Sequence, residues 1–107
     1  MAQYVVGIDL GGTKMRAGVV SLDEPDRVVS SGSTKTVRGD PEIGILALVA
    51  LVQELMVSGT LLAAGIGAPG PFDQSKQAFT AFANLPAWTG FPLGTRLSSA
   101  LKVPVAM

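Results

Sequence analysis

Tyr4-Val-Val-Gly-Ile-Asp9 and Met15-Arg-Ala-Gly-Val-Val20 are short apolar segments separated only by Leu10-Gly-Gly-Thr-Lys14. Each is too short for a stable helix and suits a strand, and so brief a connection returns the second strand antiparallel to the first. The first run is apolar throughout and ends in an acid, the pattern of a strand buried on both faces. In the second, Arg16 faces away from Ala17. Ser21–Asp26 is polar and holds Pro25, which marks another tight turn. Arg27–Val37 is rich in Val, Ser and Thr and alternates weakly, as an outer strand does. A three-stranded antiparallel meander follows as the simplest arrangement.

Asp40-Pro41-Glu42 is a helix start, with an N-cap acid, proline at the first helical position and an acid in the first turn. The helix is predicted to run to about Ser58, with Gly59 as its stop. Ile43, Leu46, Val49, Ala50 and Val57 can form one stripe. Ile45, Leu48, Leu51, Val52 and Leu55 spread round the rest, so a second helix or another subunit should cover it. Leu61–Ala68 reads as a second buried strand, brought by the helical crossover parallel to an earlier one and ended by Pro69-Gly70-Pro71. Gln74–Trp88 has no period and reads as a long irregular loop. Pro92–Leu101 suits a short helix weakened by Gly94, and Lys102–Met107 begins another strand.

With 107 residues the chain is one domain's worth, and a chain of this size buries roughly 65% of its unfolded surface. Eight basic residues balance eight acidic ones, so there is no electrostatic footprint for nucleic acid or an acidic membrane surface. Cys and His are absent, which excludes a disulfide scaffold, a Cys/His zinc site, a cysteine nucleophile and a histidine base within these residues. The amino terminus has no signal-peptide pattern, and the greasiest stretch, Ile43–Val52, is half the length of a bilayer span. A soluble cytoplasmic protein is expected.

Chemistry concentrates in Gly7-Ile-Asp-Leu-Gly-Gly-Thr-Lys14. Gly7 and Gly12 have P-loop spacing, but Thr13-Lys14 stands where that motif needs Lys then Ser or Thr, and strand-like residues follow instead of a helix. No G-x-G-x-x-G is present. A phosphate-binding hairpin remains: Asp9 could hold magnesium at a strand end, Gly11 and Gly12 could expose their amides, and Thr13 and Lys14 could add a hydroxyl and a cation. The competing account is a type I′ turn with Asp9 and Lys14 as cross-strand partners. Gly65-Ile-Gly-Ala-Pro-Gly-Pro71 suggests close approach by a ligand or a backbone, or merely a packed strand leaving through a Pro-Gly turn. Asn84-Leu-Pro-Ala-Trp-Thr-Gly-Phe91 suits a sugar face and its hydroxyls, or an aromatic anchor for a loop. Asp73 reads as a solvated turn acid.

Taken in order, Gly7–Lys14, Gly65–Pro71 and Asn84–Trp88 resemble the amino-terminal lobe of the ROK family of sugar kinases, among the actin-like, ribonuclease H-like ATPases. The resemblance implies an α/β fold, a mixed sheet with a β-meander followed by a helix and parallel strands, with residues 1–107 an incomplete lobe. It implies ATP-dependent phosphorylation of a hexose or amino sugar by a glucokinase- or fructokinase-like parent. Asp9 would lie by Mg2+ and the phosphates of ATP, and Gly11, Gly12, Thr13 and Lys14 would form the first phosphate loop. Gly70 and Pro71 would lie near the sugar, and Asn84 would begin a segment flanking its pocket.

Family members place an Asn-Asp pair just after the strand that begins here at Val103, and its Asp is the general base. That position falls beyond Met107, so no catalytic residue is expected within the chain. The adenosine-binding loops, sugar-gripping Glu and His, and a zinc site would belong to the carboxy-terminal lobe. The expected partners are a sugar and a nucleotide, with a homodimer for the full-length protein. A sugar-sensing lobe of a ROK-type repressor is the alternative. Against it, no basic recognition helix precedes the hairpin and the phosphate-loop residues are all in place. A third reading is a domain that only self-associates, through the apolar helix, which a change of Ile45 or Leu48 to Asp would test.

Overall fold

The computed structural model describes residues 2–56, 58–67, 70–82 and 84–107. β1 (Gln3–Leu10), β2 (Lys14–Ser21) and β3 (Val28–Lys35) form the expected meander, with Ile8 opposite Ala17 and Ala17 opposite Gly32. α1 (Pro41–Leu55) crosses to β4 (Thr60–Gly67), which pairs parallel to β1 with Asp9 opposite Gly67. α2 (Leu93–Leu101) then returns the chain to β7 (Val105–Ala106), parallel to β4, giving the sheet order β3-β2-β1-β4-β7.

The described residues between 72 and 88 hold more regular structure than the lack of period suggests. β5 (Phe72–Asp73) and β6 (Ala78–Phe79) make a small hairpin, and Pro86–Trp88 forms a 3₁₀ turn. Two-residue strands are too short to leave a pattern. The hairpin is held by edge-to-face contacts of Phe79 with Phe72 and with Phe82. Asp73 is the turn acid expected: its carboxylate accepts from the Ser75 N–H at 2.9 Å, the Ser75 hydroxyl at 2.6 Å and the Lys76 N–H at 3.2 Å.

α1 starts as read, with the Asp40 carboxylate accepting from the amides of Glu42 and Ile43. It ends earlier than Ser58. Met56 closes the last turn onto the Val52 carbonyl and leaves helical geometry. Gly59 is therefore not the cap but part of the turn into β4. Its φ of +91° suits glycine, and a Cβ there would meet the Tyr4 ring and the Ala2 carbonyl oxygen. Val57 lies outside the described residues.

The core face of α1 is Gly44, Ile45, Leu48, Leu51 and Val52, not the stripe drawn from Ile43. Ile43 and Leu46 are 51% and 68% exposed, and Ala50 is exposed too. A helix apolar all round gives no periodic preference, and packing chooses its face. Here Gly44 lets the Trp88 indole, 1% exposed, lie directly on the helix backbone. α2 provides the second helix beside α1, its Arg96 paired with Glu42 in the first turn of α1. Ile45 and Leu48 are buried in the core, so a charge placed at either would disturb packing; the large apolar side chains that α1 leaves exposed are Ile43 and Leu46.

Two outcomes are expected. In Gly44→Ala, helix propensity favours the mutant by about 1 kcal/mol, but a methyl driven into the indole costs about 1–3 kcal/mol. A net loss should lower the denaturation midpoint followed by fluorescence of Trp88, the single tryptophan; an unchanged midpoint would mean the ring yields freely. The Asp73 carboxyl titrates below its ordinary 3.8, first because of the Ser75 hydroxyl and then because of the Lys76 amide. Its hold on the turn is thus complete above pH 3.8 and is lost as pH falls through the lowered value. Ser75→Ala should move the Asp73 midpoint, read by NMR, back up toward 3.8.

Candidate functional site

Because β1, β4 and β7 run parallel, their carboxyl ends share one edge of the sheet, the edge at which open α/β sheets bind ligands. Asp9 and Gly67 stand opposite each other there. Beside them a concavity of about 370 Å3 is lined by Asp9, Gly11, Gly12, Thr13, Lys14 and Arg16. The structure thus brings together all five residues read from the sequence as a phosphate loop and its metal-side acid.

It also removes the competing account of the turn. A type I′ turn needs positive φ at both central residues, and neither Gly11, Gly12 nor Thr13 has it. Asp9 lies opposite Arg16, not Lys14. The glycines serve close approach instead. A Cβ on Gly11 would lie 2.7 Å from the Lys14 carbonyl oxygen, and one on Gly12 would lie 3.0 Å from the Asn84 Cβ. Asn84 is thereby placed against the loop itself.

The electrostatics favour an anion. Lys14 stands directly opposite Lys35 across β2 and β3, a pairing of like charges that is unfavourable by itself. Asp9, Lys14, Arg16 and Lys35 are all exposed and, among the described residues, none is in an ion pair. Lys35 was not singled out from the sequence, since only the strand register reveals its neighbour. One open carboxylate suits magnesium, which keeps several waters and binds through one or two carboxylates plus phosphate oxygens.

Residues 36–38, also unrecognised in the sequence, run behind the loop. The Thr36 hydroxyl donates to the Gly11 carbonyl at 2.7 Å and the Thr36 N–H to the Thr13 carbonyl at 3.0 Å. The Arg38 guanidinium donates to the Gly12 carbonyl at 3.2 Å and to the Asn84 carbonyl at 3.0 Å. The Trp88 indole N–H donates to the Val37 carbonyl at 3.0 Å. Trp88 is therefore a buried anchor and no platform for a sugar ring. Its partner Phe91 packs edge-to-face on it and is half-buried.

Gly70 and Pro71 are exposed. Gly70 has φ +141°, and a Cβ there would lie 2.7 Å from the Ala81 carbonyl oxygen, while the Pro71 carbonyl accepts from the Thr80 N–H. Ala68 and Pro69 of the same motif lie outside the described residues. Gly65 and Gly67 border a larger hollow of about 760 Å3 on the sheet face away from α1, together with Gly7 and Gly18. A Cβ on Gly7 or Gly65 would meet nothing within 4 Å and one on Gly67 would only touch the Ile8 carbonyl oxygen at 4.0 Å, so within β4 no backbone makes the close approach that the alternate glycines suggested; in this motif the Ala81 carbonyl makes it at Gly70.

The ROK family profile matches residues 5–107. The chain belongs to the ROK family. It is 30% identical over 102 residues to a glucokinase of Streptomyces coelicolor, covering 95% of this chain and 31% of that protein. Among solved structures it is similar to a ROK hexokinase from Thermus thermophilus, at 31% identity and a TM-score of 0.84, covering 96% of this chain and 34% of that one. A ROK family glucokinase from Streptomyces griseus, solved with glucose and AMPPNP, matches at 29% identity and a TM-score of 0.82, covering 97% and 32%. The ROK chain described here thus spans about a third of the length of these relatives. Its mixed sheet has the actin-like ATPase fold. Among the described residues, no helix is long and apolar enough to cross a membrane.

Proposed function

We propose that this chain forms the phosphate-binding wall of an ATP-dependent sugar kinase, with residues 1–107 as its amino-terminal lobe. The observation that carries the reading is the loop concavity, in which one exposed carboxylate, two glycines without positive φ and cations unpaired among the described residues converge at the carboxyl edge of parallel strands. The glucokinase solved with glucose and AMPPNP supports nucleotide and sugar as the ligands. Asp9 takes the magnesium side, directly or through water. Gly12 and Thr13 offer main-chain amides to phosphate oxygens, Gly11, whose own N–H donates to the Lys14 carbonyl at 3.1 Å, closes the loop, and Lys14 offers its ammonium. Gly70, Pro71 and Asn84 lie toward the sugar, which is a hexose or amino sugar.

Phosphoryl transfer is mainly positioning and charge stabilisation across a closed cleft, and this chain forms one side of such a cleft. The metal supplies charge neutralisation when bound; the residues here orient the phosphates and keep the donor in register with the acceptor hydroxyl. A ROK-type sugar sensor would use the same fold, since fold does not decide function. The complete set Asp9, Gly11, Gly12, Thr13 and Lys14 favours the kinase.

Magnesium-dependent ATP binding, followed through the amide signals of Gly11–Lys14, should weaken at least tenfold in Asp9→Ala, a loss of roughly 1.4 kcal/mol or more. The circular dichroism should stay unchanged because Asp9 is exposed. Binding equal to wild type would remove Asp9 from the site. The 107-residue chain by itself should show no sugar-dependent ATP turnover, and steady turnover by the purified chain would refute the one-wall reading.

A further inference from the structure

Resting on the phosphate-loop reading, we propose that Thr36 and Arg38 are positioning residues that set the direction of the loop amides. Three successive loop carbonyls, those of Gly11, Gly12 and Thr13, are taken by one short segment through the Thr36 hydroxyl, the Arg38 guanidinium and the Thr36 N–H. In a planar trans peptide the N–H points opposite to the C=O of the same unit. Drawing the Gly11 carbonyl onto Thr36 therefore turns the Gly12 N–H away from it, and drawing the Gly12 carbonyl onto Arg38 does the same for the Thr13 N–H. Neither N–H has an acceptor among the described residues. Two adjacent amides held this way form a nest for an anion.

The segment itself is fixed from behind. Thr36 is buried, and the Trp88 indole N–H holds the intervening Val37 carbonyl. Arg38 differs in being exposed and forked, so that one guanidinium bridges the loop at Gly12 and the Asn84 backbone. A shift of the Asn84 segment is thereby transmitted to the loop that holds the phosphates. Lysine keeps the charge but lacks the fork, so it cannot serve both carbonyls in the same geometry.

The test uses the 107-residue chain and magnesium tripolyphosphate, with the Gly12 and Thr13 amide signals followed by NMR. Thr36→Val and Arg38→Ala should each weaken binding by roughly five- to tenfold, about the worth of one hydrogen bond. Thr36→Ser should restore wild-type affinity, whereas Arg38→Lys should recover only part. The denaturation midpoint of Arg38→Ala should not move, which separates orientation from folding. Wild-type affinity in both Thr36→Val and Arg38→Ala would overturn the inference. Full recovery in Arg38→Lys would overturn it for Arg38, because the side chain would then act as a charge on the ligand. If wild-type amides do not respond at all, the phosphate reading fails, and this inference with it.

Discussion

Everything at the candidate site depends on the register of β1 between an antiparallel and a parallel neighbour. Val6, Ile8 and Leu10 point into the core under α1, so Gly7 and Asp9 point the other way. Strand side chains alternate with a period of two, and a slip by one residue would bury the Asp9 carboxylate and expose Leu10. Leu10 and its opposite Met15 are both fully buried, which makes that slip costly, about 1.5–3 kcal/mol for each large side chain left in water. The same register places Asp9 against Gly67 and so aligns the carboxyl ends of β1 and β4 at one edge. An exposed acid at the end of an apolar strand is thus a product of core packing, and the loop that follows inherits its position.

What could be read beforehand was local. The meander follows from short connections, the start of α1 from Asp40-Pro41-Glu42, and the parallel entry of β4 from the helical crossover. The loop residues were legible as a group because Gly11, Gly12, Thr13 and Lys14 are contiguous. The purpose of the glycines was not. Only the backbone dihedrals and the neighbouring Lys14 carbonyl and Asn84 Cβ distinguish close approach from a positive-φ turn. The buried face of α1 was obscured because apolar residues surround the helix, and Gly44 gains its meaning from an indole 44 positions later in the chain. Thr36, Arg38 and Lys35 went unrecognised for a related reason: their partners are set by strand register or lie 25 and 46 residues away.

The open face of the sheet follows from the same alternation. With Val6, Ile8, Ala17, Val19, Ala64 and Ile66 directed to the helix side, the opposite side carries Gly7, Gly18, Gly65 and Gly67. Glycine weakens a strand through backbone entropy and contributes no side-chain packing, so this face does little to hold the sheet together. Stability is concentrated on the other side, where Leu48, Trp88, Leu93 and Leu97 are buried.

That asymmetry bears on how the loop can be both firm and adjustable. An exposed hydrogen bond such as those of Arg38 contributes little to folding, because water replaces it at small cost. The bond from Trp88 to the Val37 carbonyl is different, since leaving a buried indole N–H unpaired costs about 1–3 kcal/mol. One three-residue segment therefore combines a buried attachment to the core with an exposed, forked attachment to two functional backbones. The first fixes where the segment lies; the second fixes only which way the loop peptides face. Stability and orientation are thereby carried by different atoms of neighbouring residues, so peptide direction at the loop can respond to the Asn84 segment without loosening the core beneath it.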